Sequence, residues 1–183
     1  TSAGGVDNIT ANGGNDIILG GRHGDTINAG DGSNLVIGDS GRITAANTGV
    51  AQFADVPMTF GLIETIAFGD GGSDSITTGT GNDFVLGGDL DDAIIVSGGN
   101  NIVLGDDGQI DYVRVERGAT TGVQGADTDA ADIDLIESLS TTSAGGVDNI
   151  TANGGNDIIL GGRHGDTINA GDGSNLVIGD SGR

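Results

Sequence analysis

The chain has 183 residues, room for one or two domains, with 38 glycines, a single proline, 3% aromatic residues and neither cysteine nor lysine. Against 27 acidic residues stand six arginines, a formal net charge of −21, which excludes nucleic acid and disfavours an anionic membrane surface, since both need the opposite sign. Glycine without a Gly-X-Y period excludes collagen, 35% hydrophobic content argues against a disordered tract, and no apolar run approaches the ~20 residues needed to span a bilayer.

The first module is Thr1 to Arg42. Within it Asp7, Asp16, Asp25 and Asn34 recur every nine residues, and two places after each comes an aliphatic: Ile9, Ile18, Ile27 and Val36. Glycine fills most of the residues before each acid, as in the stretch GGNDIILGG from Gly13 to Gly21. Each nonapeptide therefore reads as about six residues of tight turn followed by about three of strand. A strand that short cannot bury its side chain alone, so successive strands must stack with the central aliphatic inward. A helical reading fails, because each glycine in a helix interior costs about 1 kcal/mol.

The period stops at Ile43, and an insert runs to Phe68 with Phe53, Pro57, Met58 and Phe60, ending in the strand-like Leu62-Ile63-Glu64-Thr65-Ile66. A variant module follows at residues 69–109. Asp74 to Ile110 matches Asp7 to Ile43 at a constant offset of 67, placing Asp74, Asp83, Asp92 and Asn101 in the acid positions and Ile76, Val85, Ile94 and Val103 two places on. The second insert, residues 110–141, opens with an alternation from Ile110 to Arg117 that predicts a strand. The tract Gly118 to Asp132 reads as a mobile loop, and Leu135-Ile136-Glu137-Ser138-Leu139 closes the insert as its predecessor closed. Residues Thr142 to Arg183 then repeat Thr1 to Arg42 letter for letter, with Asp148, Asp157, Asp166 and Asn175 and the aliphatics Ile150, Ile159, Ile168 and Val177. Five segments result: 1–42, 43–68, 69–109, 110–141 and 142–183. With no opening Met and copies this long, the chain is expected to be an excerpt of a longer tandem array.

The expected fold is all-β: a right-handed parallel β-roll, or β-solenoid, of stacked nonapeptide turns with strand-rich inserts. Two nonapeptides make one coil, so turns two repeats apart stack on one edge. That pairs Asp7 with Asp25, Asp16 with Asn34, Asp74 with Asp92, Asp83 with Asn101, Asp148 with Asp166, and Asp157 with Asn175. Carboxylates about one strand spacing apart, roughly 4.8 Å, repel unless a cation lies between them. Calcium, which accepts six to eight oxygens, suits carboxylates supplemented by backbone carbonyls that glycine leaves free to turn. Asn and Asp as simple turn formers would explain one or two of these positions, not twelve in register. Each module closes with Gly38-Asp39-Ser40-Gly41, Gly105-Asp106-Asp107-Gly108 or Gly179-Asp180-Ser181-Gly182, so Asp39, Asp106 and Asp180 are candidates either for a terminal site or for a plain turn. Arg22, Arg163, His23 and His164 read as solvated turn residues.

Ser2 to Ile37, Gly69 to Leu104 and Ser143 to Ile178 resemble the calcium-binding nonapeptide family called RTX, or repeats in toxin, with the pattern G-G-x-G-x-D-x-U-x. Departures include Ala11-Asn12 and Val96-Ser97 for the leading glycines, His23, Leu90 and His164 for the fourth-position glycine, and Asn in every fourth repeat. The resemblance implies several bound calcium ions held by the acids and asparagines named above, type I secretion, and folding outside the cell where calcium is plentiful.

Odd repeats flank the inward aliphatic with polar residues, as in Asn8-Ile9-Thr10, whereas even repeats are apolar throughout, as in Ile17-Ile18-Leu19 and Phe84-Val85-Leu86. All even repeats fall on one sheet, whose outer face is therefore expected to be apolar and covered by the inserts, each a two-strand excursion. Ser40 and Ser181 in GDSG lack His and Asp partners, and no catalytic constellation is present, so the chain is expected not to be an enzyme. The reading is a calcium-binding structural segment of a giant bacterial surface or secreted protein, an extender, scaffold or adhesin stalk whose partners are calcium and neighbouring repeats. The alternatives are a carbohydrate or protein ligand held through the inserts, and an ice-binding β-solenoid, which Thr78-Gly79-Thr80-Gly81-Asn82-Asp83 resembles in a single repeat.

Overall fold

The computed structural model describes residues 4–47, 49, 50, 52, 58–115, 127–140 and 144–182. Phe53, Pro57, the end of the alternation at 116 and 117, and tract 118–126 lie outside them. Among the described residues every element is a strand. The first module supplies β1 (Asn8–Thr10), β2 (Ile17–Leu19), β3 (Thr26–Gly30) and β4 (Leu35–Ile37), and the first insert β5 (Gly41–Ala45) and β6 (Phe60–Thr65). The variant module supplies β7 (Ser75–Thr78), β8 (Phe84–Gly88), β9 (Ala93–Val96) and β10 (Ile102–Asp106). The second insert supplies β11 (Gly108–Asp111) and β12 (Leu135–Ser138), and the last module β13 (Asn149–Ala152), β14 (Ile158–Leu160), β15 (Thr167–Asn169) and β16 (Leu176–Ile178).

Odd repeats build one parallel sheet in the order β1-β3-β7-β9-β13-β15, and even repeats build the facing sheet in the order β16-β14-β10-β8-β4-β2. The chain is thus a parallel β-roll that runs on through all three modules. Register is set by the central aliphatics: Ile9, Ile27, Ile76, Ile94, Ile150 and Ile168 stack across the first sheet. Ile18, Val36, Val85, Val103, Ile159 and Val177 stack across the second. A slip by one residue would turn the whole row outward, so burial pins the register. Apart from Val177, which is 43% exposed at the end of the roll, these rows fill the thin interior, joined by Ala29, Val96 and Ala152. His23, Leu90 and His164 stand in the left-handed region at φ near +72°, at a cost of about 1 kcal/mol each.

A third, antiparallel sheet of order β12-β11-β6-β5 lies over the even-repeat sheet. Leu35, Ile37, Phe84, Leu86 and Leu104 on the roll pack against Phe60, Ile63, Ile110 and Tyr112 from the inserts, all buried. The inserts do not act as separate excursions. They meet in one sheet, β11 pairing β6 with Ile110 opposite Ile63, and Gln52 of the first insert donates to Ala130 O of the second at 2.9 Å. The strand predicted to run from Ile110 stops at Asp111, because Asp111 Oδ1 accepts from Val113 N–H at 3.0 Å and folds the chain into an Asx turn. The cover ends before the roll does: Leu19 at one end is 39% exposed and Leu176 at the other 56%, whereas Leu104 between them is 1% exposed.

Leu104→Ala, inside the sealed layer, is expected to cost about 2–5 kcal/mol. Leu19→Ala stands in the same outward row of the uncovered end strand and is expected to cost about 1 kcal/mol or less. Urea denaturation of both variants in saturating calcium checks this, and equal losses would mean the cover contributes nothing.

Candidate metal centre

Each acid predicted from the nine-residue period immediately precedes a strand, which fixes its backbone in a ladder. On the edge leading into the odd-repeat sheet, the Oδ1 atoms of Asp25, Asp74, Asp92, Asp148 and Asp166 accept from the backbone N–H of Asp7, Asp25, Asp74, Asp92 and Asp148. The distances run from 2.6 Å at Asp25 N–H to 2.9 Å at Asp148 N–H. The result is one column of six aspartates, of which Asp25, Asp74, Asp92 and Asp148 are no more than 3% exposed and Asp7 is exposed at the end.

One oxygen of each carboxylate is thereby used, and the other is not. Oδ2 of Asp25, Asp74, Asp92, Asp148 and Asp166 is buried without a hydrogen-bond partner. An orphaned buried carboxylate oxygen is costly and calls for an explanation. Its surroundings give one. Beside the column runs a file of turn-entrance residues, Gly20, Gly38, Gly87, Gly105 and Gly161, and a Cβ built on any of them would run into both an Asp Oδ2 and the carbonyl oxygen of the next glycine along, Gly179 in the case of Gly161. At Gly38, for example, those atoms are Asp74 Oδ2 and Gly87 O. Carboxylate and carbonyl oxygens converge on a gap that only glycine leaves open. This is a donor set of hard oxygens suited to calcium. Among the described residues no three Asp, Glu or His side chains gather at one point, so a cation here would depend on backbone carbonyls as well as carboxylates.

Electrostatics point the same way. Burial, opposed in part by the backbone hydrogen bond and reinforced by the neighbouring carboxylates, pushes Asp74 and Asp148 up to about 8 and raises Asp25, Asp92 and Asp166. Without positive charge, Asp74 and Asp148 keep their protons well above the usual carboxylate range.

The opposite edge carries Asp16, Asn34, Asp83, Asn101, Asp157 and Asn175 in the equivalent ladder, with Oδ1 of each residue from Asn34 onward accepting from the N–H of the one before it. Carboxylates and amides alternate along it.

Asp39 and Asp106 sit apart from both columns. Asp39 accepts from Gly72 N–H at 3.0 Å and Asp89 N–H at 2.6 Å. Asp106 accepts from Gly146 N–H at 2.7 Å and from Arg163 N–H. Both oxygens of each carboxylate are taken up by the module that follows the insert, so these residues are staples across the inserts. Burial pushes Asp39 up to about 7. Asp180, their counterpart in the last module, lines an open polar cleft with Arg163, His164 and Ser181. Arg22, read as a solvated residue, pairs with Asp70. Two buried acids of the variant module lie outside the nine-residue period. Asp89 accepts from Gly145 N–H at 3.1 Å, and Asp107 is 2% exposed and pushed up to about 6 by burial. Their signal was the offset of 67, which shows acids where the first module has Arg22 and Ser40.

A family model described as the RTX calcium-binding nonapeptide repeat (4 copies) matches residues 2–36, 66–94 and 143–177. No curated protein and no solved structure matches the chain.

The raised carboxylates set a pH dependence for the calcium-free chain. Between the ordinary value of 3.8 and the folded values near 8 of Asp74 and Asp148, the folded state binds more protons than the unfolded one. Stability in chelator is therefore greatest in acid and falls as pH rises. Thermal melts by circular dichroism are expected to give a midpoint that drops from about pH 5 to about pH 8 in chelator and not in calcium, which displaces the protons. A midpoint that rose with pH in chelator would contradict this.

Proposed function

This chain belongs to the RTX calcium-binding nonapeptide repeat family, and we propose that it is a non-enzymatic, calcium-stabilised structural segment of a longer secreted or cell-surface protein. The observation that carries the reading is the column of buried, orphaned Asp Oδ2 atoms facing carbonyl oxygens across glycine gaps. Calcium bound there supplies positive charge and completes the oxygen coordination that the turns begin. The chain does the rest. Asp25, Asp74, Asp92, Asp148 and Asp166 hold one oxygen on the ladder and present the other, and the turn-entrance glycines keep the gap clear.

With 27 acids and six arginines, the cation-free chain repels itself, so binding energy becomes folding energy. Such a segment stays loose where calcium is scarce and sets into a rod where it is abundant, which suits export through a narrow conduit and folding outside the cell. The roll adds coils without changing its cross-section, and the cover sheet repeats with the modules. That architecture supports the role of extender or stalk, whose partners are calcium and the neighbouring repeats of the array. No helix among the described residues is long and apolar enough to cross a membrane.

Calorimetry and circular dichroism with calcium and with chelator test the reading. A cooperative transition is expected in calcium, shifting upward with its concentration because each site occupied at a hundredfold its Kd adds about 2.7 kcal/mol. Magnesium, smaller and reluctant to shed water, is expected not to substitute. An identical thermogram in excess chelator would sink the proposal.

A further inference from the structure

We propose that cation binding is confined to one edge of the roll, that of Asp25, Asp74, Asp92, Asp148 and Asp166, and that the opposite edge is closed without metal by its asparagines and by side chains built into its turn entrances. The inference rests on the calcium reading above and narrows it from two edges to one.

Three differences between the edges carry it. The first is space. Five residues before Asp25, Asp92 and Asp166 stand Gly20, Gly87 and Gly161. Five residues before Asn34, Asp83, Asn101 and Asp157 stand Ala29, Thr78, Val96 and Ala152, each 0% exposed. Ala29, Val96 and Ala152 belong to the roll interior, so a side chain fills the position that glycine leaves open on the other edge.

The second is the amide. Asn34 Nδ2 donates to Gly32 O at 2.9 Å, Gly30 O at 3.2 Å and Asp83 Oδ1 at 3.0 Å. Asn101 Nδ2 donates to Asp157 Oδ1 at 2.9 Å and Gly99 O at 3.3 Å. The carbonyl oxygens of Gly30, Gly32 and Gly99 and Oδ1 of Asp83 and Asp157 are thus already bonded to amide N–H groups. An uncharged donor does the bridging from within the chain.

The third is charge. On this edge each carboxylate stacks on an amide, so successive carboxylates stand two turns apart and the repulsion that calls for a cation is weaker. Oδ2 of Asp16, Asp83 and Asp157 remains without a hydrogen-bond partner. One such carboxylate oxygen per two turns, joined at Asp83 by the buried Thr78 hydroxyl, falls far short of the six to eight oxygens calcium takes. The first edge offers five glycine gaps, each with an orphaned oxygen.

Calcium counting on isosteric variants separates the edges. With calcium alone as probe, equilibrium dialysis is expected to find five ions on the wild-type chain, corresponding to the five gaps. Asp74→Asn and Asp148→Asn are each expected to lose at least one ion, and Asp83→Asn and Asp157→Asn none. Long-wavelength anomalous diffraction from wild-type crystals grown in calcium needs no variant, and peaks are expected only along the first edge. Peaks between Asp16, Asn34 and Asp83, a loss on Asp83→Asn equal to that on Asp74→Asn, or no loss on any of the four variants, would overturn the one-edge assignment while leaving calcium binding intact. A wild-type chain that binds no calcium would overturn the calcium reading and this inference together.

Discussion

Everything in this structure answers to one constraint: aspartates stacked in a column, with their carboxylates buried at the spacing of adjacent strands. Like charges at that distance in a low-dielectric setting are strongly unfavourable, and each carboxylate from Asp25 to Asp166 gets back only one backbone N–H on one of its oxygens. The column can stand only if something positive enters or if protons stay on. The glycine file beside it is the structural consequence, because any Cβ there would occupy the place where the unpaired oxygens and the carbonyls meet. The chain's lack of lysine fits the same constraint, since no internal ammonium competes for the column.

A second constraint follows from making a solenoid with strands of three to five residues. The interior between the two sheets is one side chain deep on each face, too thin to carry much hydrophobic stabilisation. The even-repeat strands enlarge it by being apolar on both faces, which creates a second core on the outside of the roll. That face needs a lid, and the lid has to lengthen in step with the roll. Inserts that join edge to edge across modules, β6 beside β11, meet the requirement in a way that isolated hairpins would not, because a two-stranded hairpin is marginal alone and four paired strands are not.

What could be read from the sequence, and what could not, divides along the range of the interactions. The period of nine dictates which residues stack, so all twelve inward aliphatics and both ladders were visible in the letters, and the parity of the repeats revealed that one sheet needed covering. Partnerships formed across the inserts carried no periodic signal. Nothing local to Asp39 shows that it will accept from Gly72 and Asp89, and nothing local to Asp111 distinguishes the start of a longer strand from an Asx turn that ends one. The alternation of Asp with Asn is plain in the sequence, yet its meaning lies in the amide hydrogen bonds of Asn34 and Asn101, and the residues five places earlier stand in the letters only as departures from a glycine pattern.

The position of the inserts joins the two constraints. Each insert interrupts a turn of the carboxylate column, entering after the turn-entrance glycine and returning just before the aspartate: Gly38 precedes the first insert and Asp74 follows it, and Gly105 precedes the second and Asp148 follows it. The gaps at Asp74 and Asp148 are therefore assembled from chain on both sides of an insert, while those at Asp25, Asp92 and Asp166 come from uninterrupted turns. Asp39 and Asp106 draw the same junctions together with paired N–H bonds. Closing the column at these two levels fixes the base of the cover sheet over the apolar face. The same junctions thus carry both the gaps of the acidic edge and the ends of the inserts that cover the apolar layer.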